Sequence, residues 1–166
     1  MTAPAKRRII TVFCDASFDP SGAAGFGAWA KCEGETQRWS APLKISVINA
    51  AEAEWCAAAN AVHLAVIHFH ITERDLLILE TDCTEVVFKL RTRMLPEIYA
   101  QNTRSSIKQQ AYSLIYNSPP TVRAKHVKGH VRLRDATKRH RVNHWTDKAA
   151  NAARLLHKAR VTLEGK

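Results

Sequence analysis

Four acidic residues stand at places where a chain could use them together: Asp15, Glu54, Asp82 and Asp147. Asp15 closes the β-branched and aromatic run Ile9-Ile10-Thr11-Val12-Phe13-Cys14. Asp82 follows the apolar run Leu76-Leu77-Ile78-Leu79 and the pair Glu80-Thr81. Such runs read as buried strands, so both carboxylates belong at strand ends. Glu54 and Asp147 fall in segments with helical patterning. An Asp after a strand is more often a turn or cap residue, so each signal is weak by itself. Gathered at one sheet edge, however, four carboxylates repel one another and resist ionisation unless divalent cations neutralise them. Hard oxygen ligands select Mg²⁺, with Mn²⁺ as a substitute. Two such ions held by shared carboxylates support in-line attack on a phosphodiester.

The elements that must position these groups can be read in order. After the first strand, Gly22, Gly25 and Gly27 allow tight turning, and Phe26–Lys31 alternates as a second strand. A third covers Glu35–Ala41, and the short connections imply an antiparallel meander. Asn49 is a good N-cap for a helix running to about His70. At 100° per residue, Ala51, Glu54, Ala58, Ala61, Val62, Ala65 and Phe69 share the side expected to face the sheet. Glu52, Cys56, Ala59, His63 and His70 point the other way, so Glu52 is expected to be solvated. The run Leu76–Leu79 is unbroken, as in a central strand covered on both faces. Helices are expected at about Thr84–Arg93 and Asn102–Tyr116, then a strand Thr121–Val127 leading into Lys128-Gly129-His130. A basic loop runs to Arg141, and Asn143 opens a last helix to about Arg160, with Asn143, Asp147 and Asn151 on one stripe. The order βββαβααβα indicates an α/β fold around a mixed five-stranded sheet.

The 166 residues carry a formal charge of +10 that is unevenly spread: 7 Lys and Arg against 11 Asp and Glu in residues 1–85, and 18 against 4 in residues 86–166. An acidic half and a basic half suit an enzyme that gathers carboxylates in a cleft and flanks them with cations for a polyanion. Length and composition imply one domain, residues 9–160, between a short basic tail (1–8) and a C-terminal tail (161–166). The scattered Cys14, Cys32, Cys56 and Cys83 read as small buried thiols in a reducing, cytoplasmic setting. No stretch is long enough to span a bilayer, and a monomer is expected.

Five short pieces, in order, resemble the ribonuclease H family over nearly the whole chain. They are Cys14-Asp15-Ala16-Ser17, Glu54-Trp55-Cys56-Ala57-Ala58, Glu80-Thr81-Asp82-Cys83, Val127-Lys128-Gly129-His130 and Asn143-His144-Trp145-Thr146-Asp147. The resemblance implies a ribonuclease H-like fold and a nuclease that cuts the RNA strand of RNA/DNA hybrids with two Mg²⁺ ions. It implies that Asp15 bridges both ions, that Asp147 completes the water-activating site, and that Glu54 and Asp82 hold the ion at the leaving 3′-oxygen. His130 would assist proton transfer or product release from a loop. The sequence departs from the family where paired Asn residues often precede the helical Glu, here Ala50 and Ala51. It departs again at Thr84, where a Gln is common, and at Ala16, where a Gly is common.

Other features have competing readings. His126, His130, His140 and His144 form two His-x-x-x-His pairs, but four imidazoles without a thiolate make an unusual structural zinc site. The tryptophans Trp29, Trp39, Trp55 and Trp145 read as core or rim residues, and Lys89, Arg91 and Arg93 as a solvated helix face. Lys128, Arg132, Arg134, Lys138, Arg139, Arg141 and Asn143 lie around the expected site and are candidates for nucleic-acid contact. The alternatives to hybrid cleavage are a related nuclease for structured or branched DNA and a non-catalytic nucleic-acid-binding module.

Overall fold

The computed structural model describes residues 6–129 and 136–164. Three strands come first, β1 (Ile9–Phe18), β2 (Ala24–Cys32) and β3 (Glu35–Pro42). They are followed by α1 (Ala50–His68), β4 (Leu76–Thr81), α2 (Thr84–Thr92), α3 (Pro96–Gln101), α4 (Ser106–Tyr116), β5 (Thr121–His126) and α5 (Lys138–Glu164). The sheet order is β3-β2-β1-β4-β5. β1 pairs antiparallel with β2 and parallel with β4, and β5 joins the other side of β4 in parallel. This is the expected mixed sheet, and the first strand lies at its centre. β1 continues past Asp15, which sits opposite Gly27, whereas the β1–β4 pairing ends at Phe13 and Glu80. The strands therefore part just where the carboxylates emerge.

One face of the sheet packs on α1 through Ile10, Val12, Ala28, Ala30, Leu77 and Leu79, all fully buried. Asn49 caps α1 as expected, its Oδ1 accepting from the Glu52 N–H at 2.8 Å. Glu52 itself corrects the sequence reading, because it is only 4% exposed. Its Oε2 accepts from the Ile48 N–H (3.0 Å), closing a capping box, and its Oε1 accepts from Ser105 Oγ (2.6 Å). α4 packs on the side of α1 away from the sheet. The helix is thus buried on two sides, and no single apolar stripe describes it.

Two further boundaries differ from expectation. The helix expected from Asn102 begins at Ser106 instead, because Ser105 caps α4 by accepting from the Lys108 N–H at 3.2 Å, and a short unexpected helix, α3, precedes it from Pro96. The last helix begins at Lys138, not Asn143, because Thr137 and His140 exchange bonds. Thr137 Oγ1 accepts from the His140 N–H (3.4 Å), and the Thr137 N–H donates to His140 Nδ1 (3.2 Å). Lys138, Arg139 and Arg141 therefore stand on the first turns of α5 and not in a loop. The buried stripe of α5 is Asn143, Thr146, Ala150 and Ala153, with Asp147 half-buried beside it and Asn151 exposed. That stripe lies so close to β2 that a Cβ on Gly25 or Gly27 would collide with the α5 backbone at Arg154 or Thr146. Arg8, assigned to a tail in the sequence reading, is anchored: its Nη2 donates to Asp75 Oδ2 at 2.8 Å, tying the start of β1 to the turn before β4. No described helix is long and apolar enough to cross a membrane.

Candidate active site

Asp15 is 6% exposed, and its Oδ1 accepts from the Ala16 N–H at 2.8 Å. Glu54 lies in the second turn of α1, half-buried, with Oε2 buried and without a hydrogen-bond partner. Asp82 stands just beyond β4, where the chain turns into α2. The turn is held by Thr81, whose carbonyl accepts from the Val127 N–H (3.0 Å) and whose Oγ1 accepts from the Cys83 N–H (3.1 Å). Gly129 packs directly on the Asp82 carboxylate, leaving no room for a Cβ. One oxygen from each of Asp15, Glu54 and Asp82 lies within 4.8 Å of the others. Asp147 is outside that set but lines the same cleft, with Asp15, Asp82, Lys128, His140, Asn143 and His144.

The electrostatics follow from crowding carboxylates in a partly dry cleft. Burial raises the pKa of Asp15, and the charges of Asp82 and Asp147 raise it further. Burial likewise raises Glu54, with Asp15 and Asp82 adding to it. An anionic cluster of this kind is costly without a compensating cation. The donor set fits a hard divalent cation: carboxylate oxygens only, close together, one of them buried and unpartnered. Asn143, 4% exposed, adds a second buried oxygen without a partner, Oδ1. Among the described residues no histidine joins a cluster of three metal-ligand side chains.

The other expected site residues are distributed around this centre. Lys128 is exposed at the rim of the cleft. Lys128, Thr137, Lys138, Arg139, His126 and His140 line an adjoining groove, and Arg141 is exposed on the next turn of α5. His130, Arg132 and Arg134 lie outside the described residues. Arg139 departs from the reading that made it available to phosphate, since its Nε donates to Glu80 Oε2 at 2.7 Å and its Nη2 lies 2.5 Å from the same atom. Glu80 is 5% exposed, and the pair docks the first turn of α5 against β4, two residues before Asp82. Sequence reasoning missed Glu80. The signal was an acid inside an apolar strand, which needs a cation opposite it. It also missed His140 and His144 as cleft residues: a last helix started at Asn143 puts the first in a loop, and the sequence reading weighs both only as zinc ligands.

Comparison with known proteins gives one family and one fold. The RNase H family model matches residues 7–154. No curated protein sequence matches the chain. Among solved structures, the N-terminal RNase H domain of Rv2228c from Mycobacterium tuberculosis, fused to maltose-binding protein, is similar with a TM-score of 0.64 at 14% identity, over 92% of this chain and 98% of that one. RNase H1 from the halophilic archaeon Halobacterium salinarum NRC-1 has a TM-score of 0.61 at 17% identity, over 87% and 96%. LC11-RNase H1, solved in complex with an RNA/DNA hybrid, has a TM-score of 0.61 at 16% identity, over 87% and 95%. At these identities the likeness to the three structures is one of fold.

Proposed function

The chain belongs to the RNase H family and is a ribonuclease H-type hydrolase; from that premise we propose that it cleaves the RNA strand of RNA/DNA hybrids with two divalent cations, leaving 5′-phosphate and 3′-hydroxyl ends. The observation that carries this reading is the convergence of Asp15, Glu54 and Asp82 oxygens within 4.8 Å, with a Glu54 oxygen buried and unpartnered. A pure binding module gains nothing from such a cluster facing phosphates. Asp15, whose carboxylate feels the charges of both Asp82 and Asp147, would contribute to holding both ions. Glu54 and Asp82 would hold one with it, and Asp147 would help to hold the other. When bound, the pair of Mg²⁺ ions neutralises the scissile phosphate and lowers the pKa of the attacking water.

The remaining work falls to this chain's own groups. Gly129 and the Thr81 turn hold Asp82 in place, and the Asn49–Glu52 cap sets the register of Glu54. Lys128 and Lys138, beside the cleft, take backbone phosphates, with Arg132, Arg134 and Arg141 extending that contact. Asn143 offers its buried Oδ1 to the substrate edge of the cleft, and His130 assists proton transfer or product release. The hybrid is the favoured substrate because LC11-RNase H1, of the same fold, was solved with one. Residues 9–160 serve as one catalytic domain that acts as a monomer.

The test is a parallel cleavage assay on an RNA/DNA hybrid, duplex RNA, duplex DNA and a four-way junction, each with Mg²⁺, Mn²⁺ and EDTA. The reading requires metal-dependent cutting of the hybrid's RNA strand. Preferential cutting of the junction, or cutting in EDTA, overturns it.

A further inference from the structure

Strand register arranges the α5 side of the sheet in rows. Ser40, Gly27 and Asp15 form a row beneath the body of α5, where Ser40 Oγ donates to the Ala149 carbonyl at 3.4 Å. The next row is Arg38, Trp29, Phe13, Glu80 and Lys125. Only the first turns of α5 reach it, through Arg139 on Glu80 and Trp145 under the Arg38 guanidinium at 5.0 Å. The row after that, Thr36, Lys31, Thr11, Ile78 and Arg123, is open. Lys31, Thr36 and Arg123 are exposed and Thr11 and Ile78 half-exposed, although β1 and β4 are interior strands. One step further along β1, Ile9 is 57% exposed, while Ile10 and Val12 on the opposite face are at 0%.

The chemistry of this open face is one-sided. Lys31, Arg38, Arg123 and Lys125 are all exposed, and none makes an ion pair among the described residues. The acid in the two rows, Glu80, is buried and already neutralised by Arg139. Glu33 lies at the rim, on the β2–β3 turn. From β2 to β5 the cations are separated by roughly 14 Å at about 4.8 Å per strand. Between them lie half-buried Trp29, held edge-on by Phe13 at 5.8 Å, and the aliphatic side chains of Ile78 and Ile9. Cations at both margins call for a polyanion that crosses the strands. The aromatic and aliphatic middle calls for flat apolar faces, which a duplex hides in its stack and an unpaired strand exposes.

We propose that the open sheet face, with Lys31, Arg38, Arg123 and Lys125 at its margins and Trp29 between them, is a second polynucleotide surface that binds an unpaired strand. It lies on the far side of the first turns of α5 from the acidic cleft. It is therefore placed to hold a single-stranded extension of a substrate whose paired part occupies the cleft. Binding at this face needs neither metal nor catalysis, so it stands or falls apart from the nuclease reading.

The experiment is fluorescence anisotropy with a labelled single-stranded RNA of about 12 nucleotides in EDTA, at several salt concentrations, on wild type and Lys31→Glu/Arg123→Glu. Both side chains are exposed, so the double variant folds; circular dichroism checks this, and Lys31→Ala/Arg123→Ala repeats the comparison without added negative charge. The expected result is an affinity loss of about tenfold or more and a log–log salt slope flattened by about 1.4, at about 0.7 per lost phosphate contact. Cleavage of a blunt hybrid stays at the wild-type rate, while KM for a hybrid with a single-stranded overhang rises to the blunt value. Equal affinities with parallel salt lines overturn the proposal. So does a face that loses binding of an acidic peptide on charge reversal but never bound the oligonucleotide.

Discussion

Glu54→Gln should make the metal-free chain more stable at neutral and alkaline pH while destroying its activity. Burial raises the folded-state pKa values of Asp15 and Glu54, the charges of Asp82 and Asp147 adding to the first and those of Asp15 and Asp82 to the second, against unfolded values of about 3.9 and 4.3. Above pH ~4 the folded chain therefore holds more protons than the unfolded one. Its stability falls as pH rises through the raised values. The Gln variant loses one such group and, with it, the repulsion that group meets from Asp15 and Asp82. Two charges within 4.8 Å interact by about 3 kcal/mol at an effective dielectric of 20. Screening at half-buried Asp82 reduces the net gain to about 1–3 kcal/mol. For a chain of this size that is about 2–12 °C in Tm. Thermal unfolding in EDTA at pH 4, 6 and 8 measures it: the variant should match wild type near pH 4 and exceed it increasingly towards pH 8. Adding Mg²⁺ should then raise the Tm of wild type more than that of the variant. A variant less stable than wild type at pH 8 in EDTA, or a difference independent of pH, would refute the reasoning.

Asp15→Asn should lower the cleavage rate by about 10³-fold or more while hybrid affinity changes only a few-fold, measured by single-turnover kinetics and by binding in Ca²⁺. Glu52→Gln should cost about 1–3 kcal/mol in urea unfolding, because Ser105 Oγ and the Ile48 N–H lose a charged acceptor. Its turnover per folded molecule should stay near wild type, so an equally stable variant would contradict the buried cap. Arg139→Ala should destabilise by about 3 kcal/mol, leaving Glu80 buried and unpaired, and Glu80→Gln in the same chain should recover part of that loss. Gly27→Ala should cost at least about 1–3 kcal/mol by forcing α5 off β2, and unchanged stability would mean the helix sits further out.

The positions of Asp15, Glu54 and Asp82 were legible because strand and cap signals adjoin them, although each carboxylate says little by itself. Ile9–Cys14 and Leu76–Leu79 read as interior strands, and Asn49 fixes the start of α1, hence the phase of Glu54. Glu52 was misread because a helical wheel assumes one buried side, and nothing local announces that α4 covers the other. α5 was started late because its cap is an unusual Thr137–His140 exchange and its first turn is all polar, so periodicity has nothing to register. The ion pair of Arg139 with Glu80 joins residues distant in sequence and only the fold brings them together. Glycine at 25 and 27 suggested turning, but both lie inside β2 and serve the close approach of α5.

The most direct test of the central claim is single-turnover cleavage of an RNA/DNA hybrid labelled on its RNA strand, titrated with Mg²⁺, with the product ends identified. Wild type should show saturable dependence on Mg²⁺ and release RNA fragments with 3′-hydroxyl ends. Asp15→Asn, bound to the same hybrid, should release essentially none. Cleavage that persists in EDTA or in Asp15→Asn, or fragments ending in a 3′-phosphate, would contradict a metal-dependent site built on Asp15, Glu54, Asp82 and Asp147.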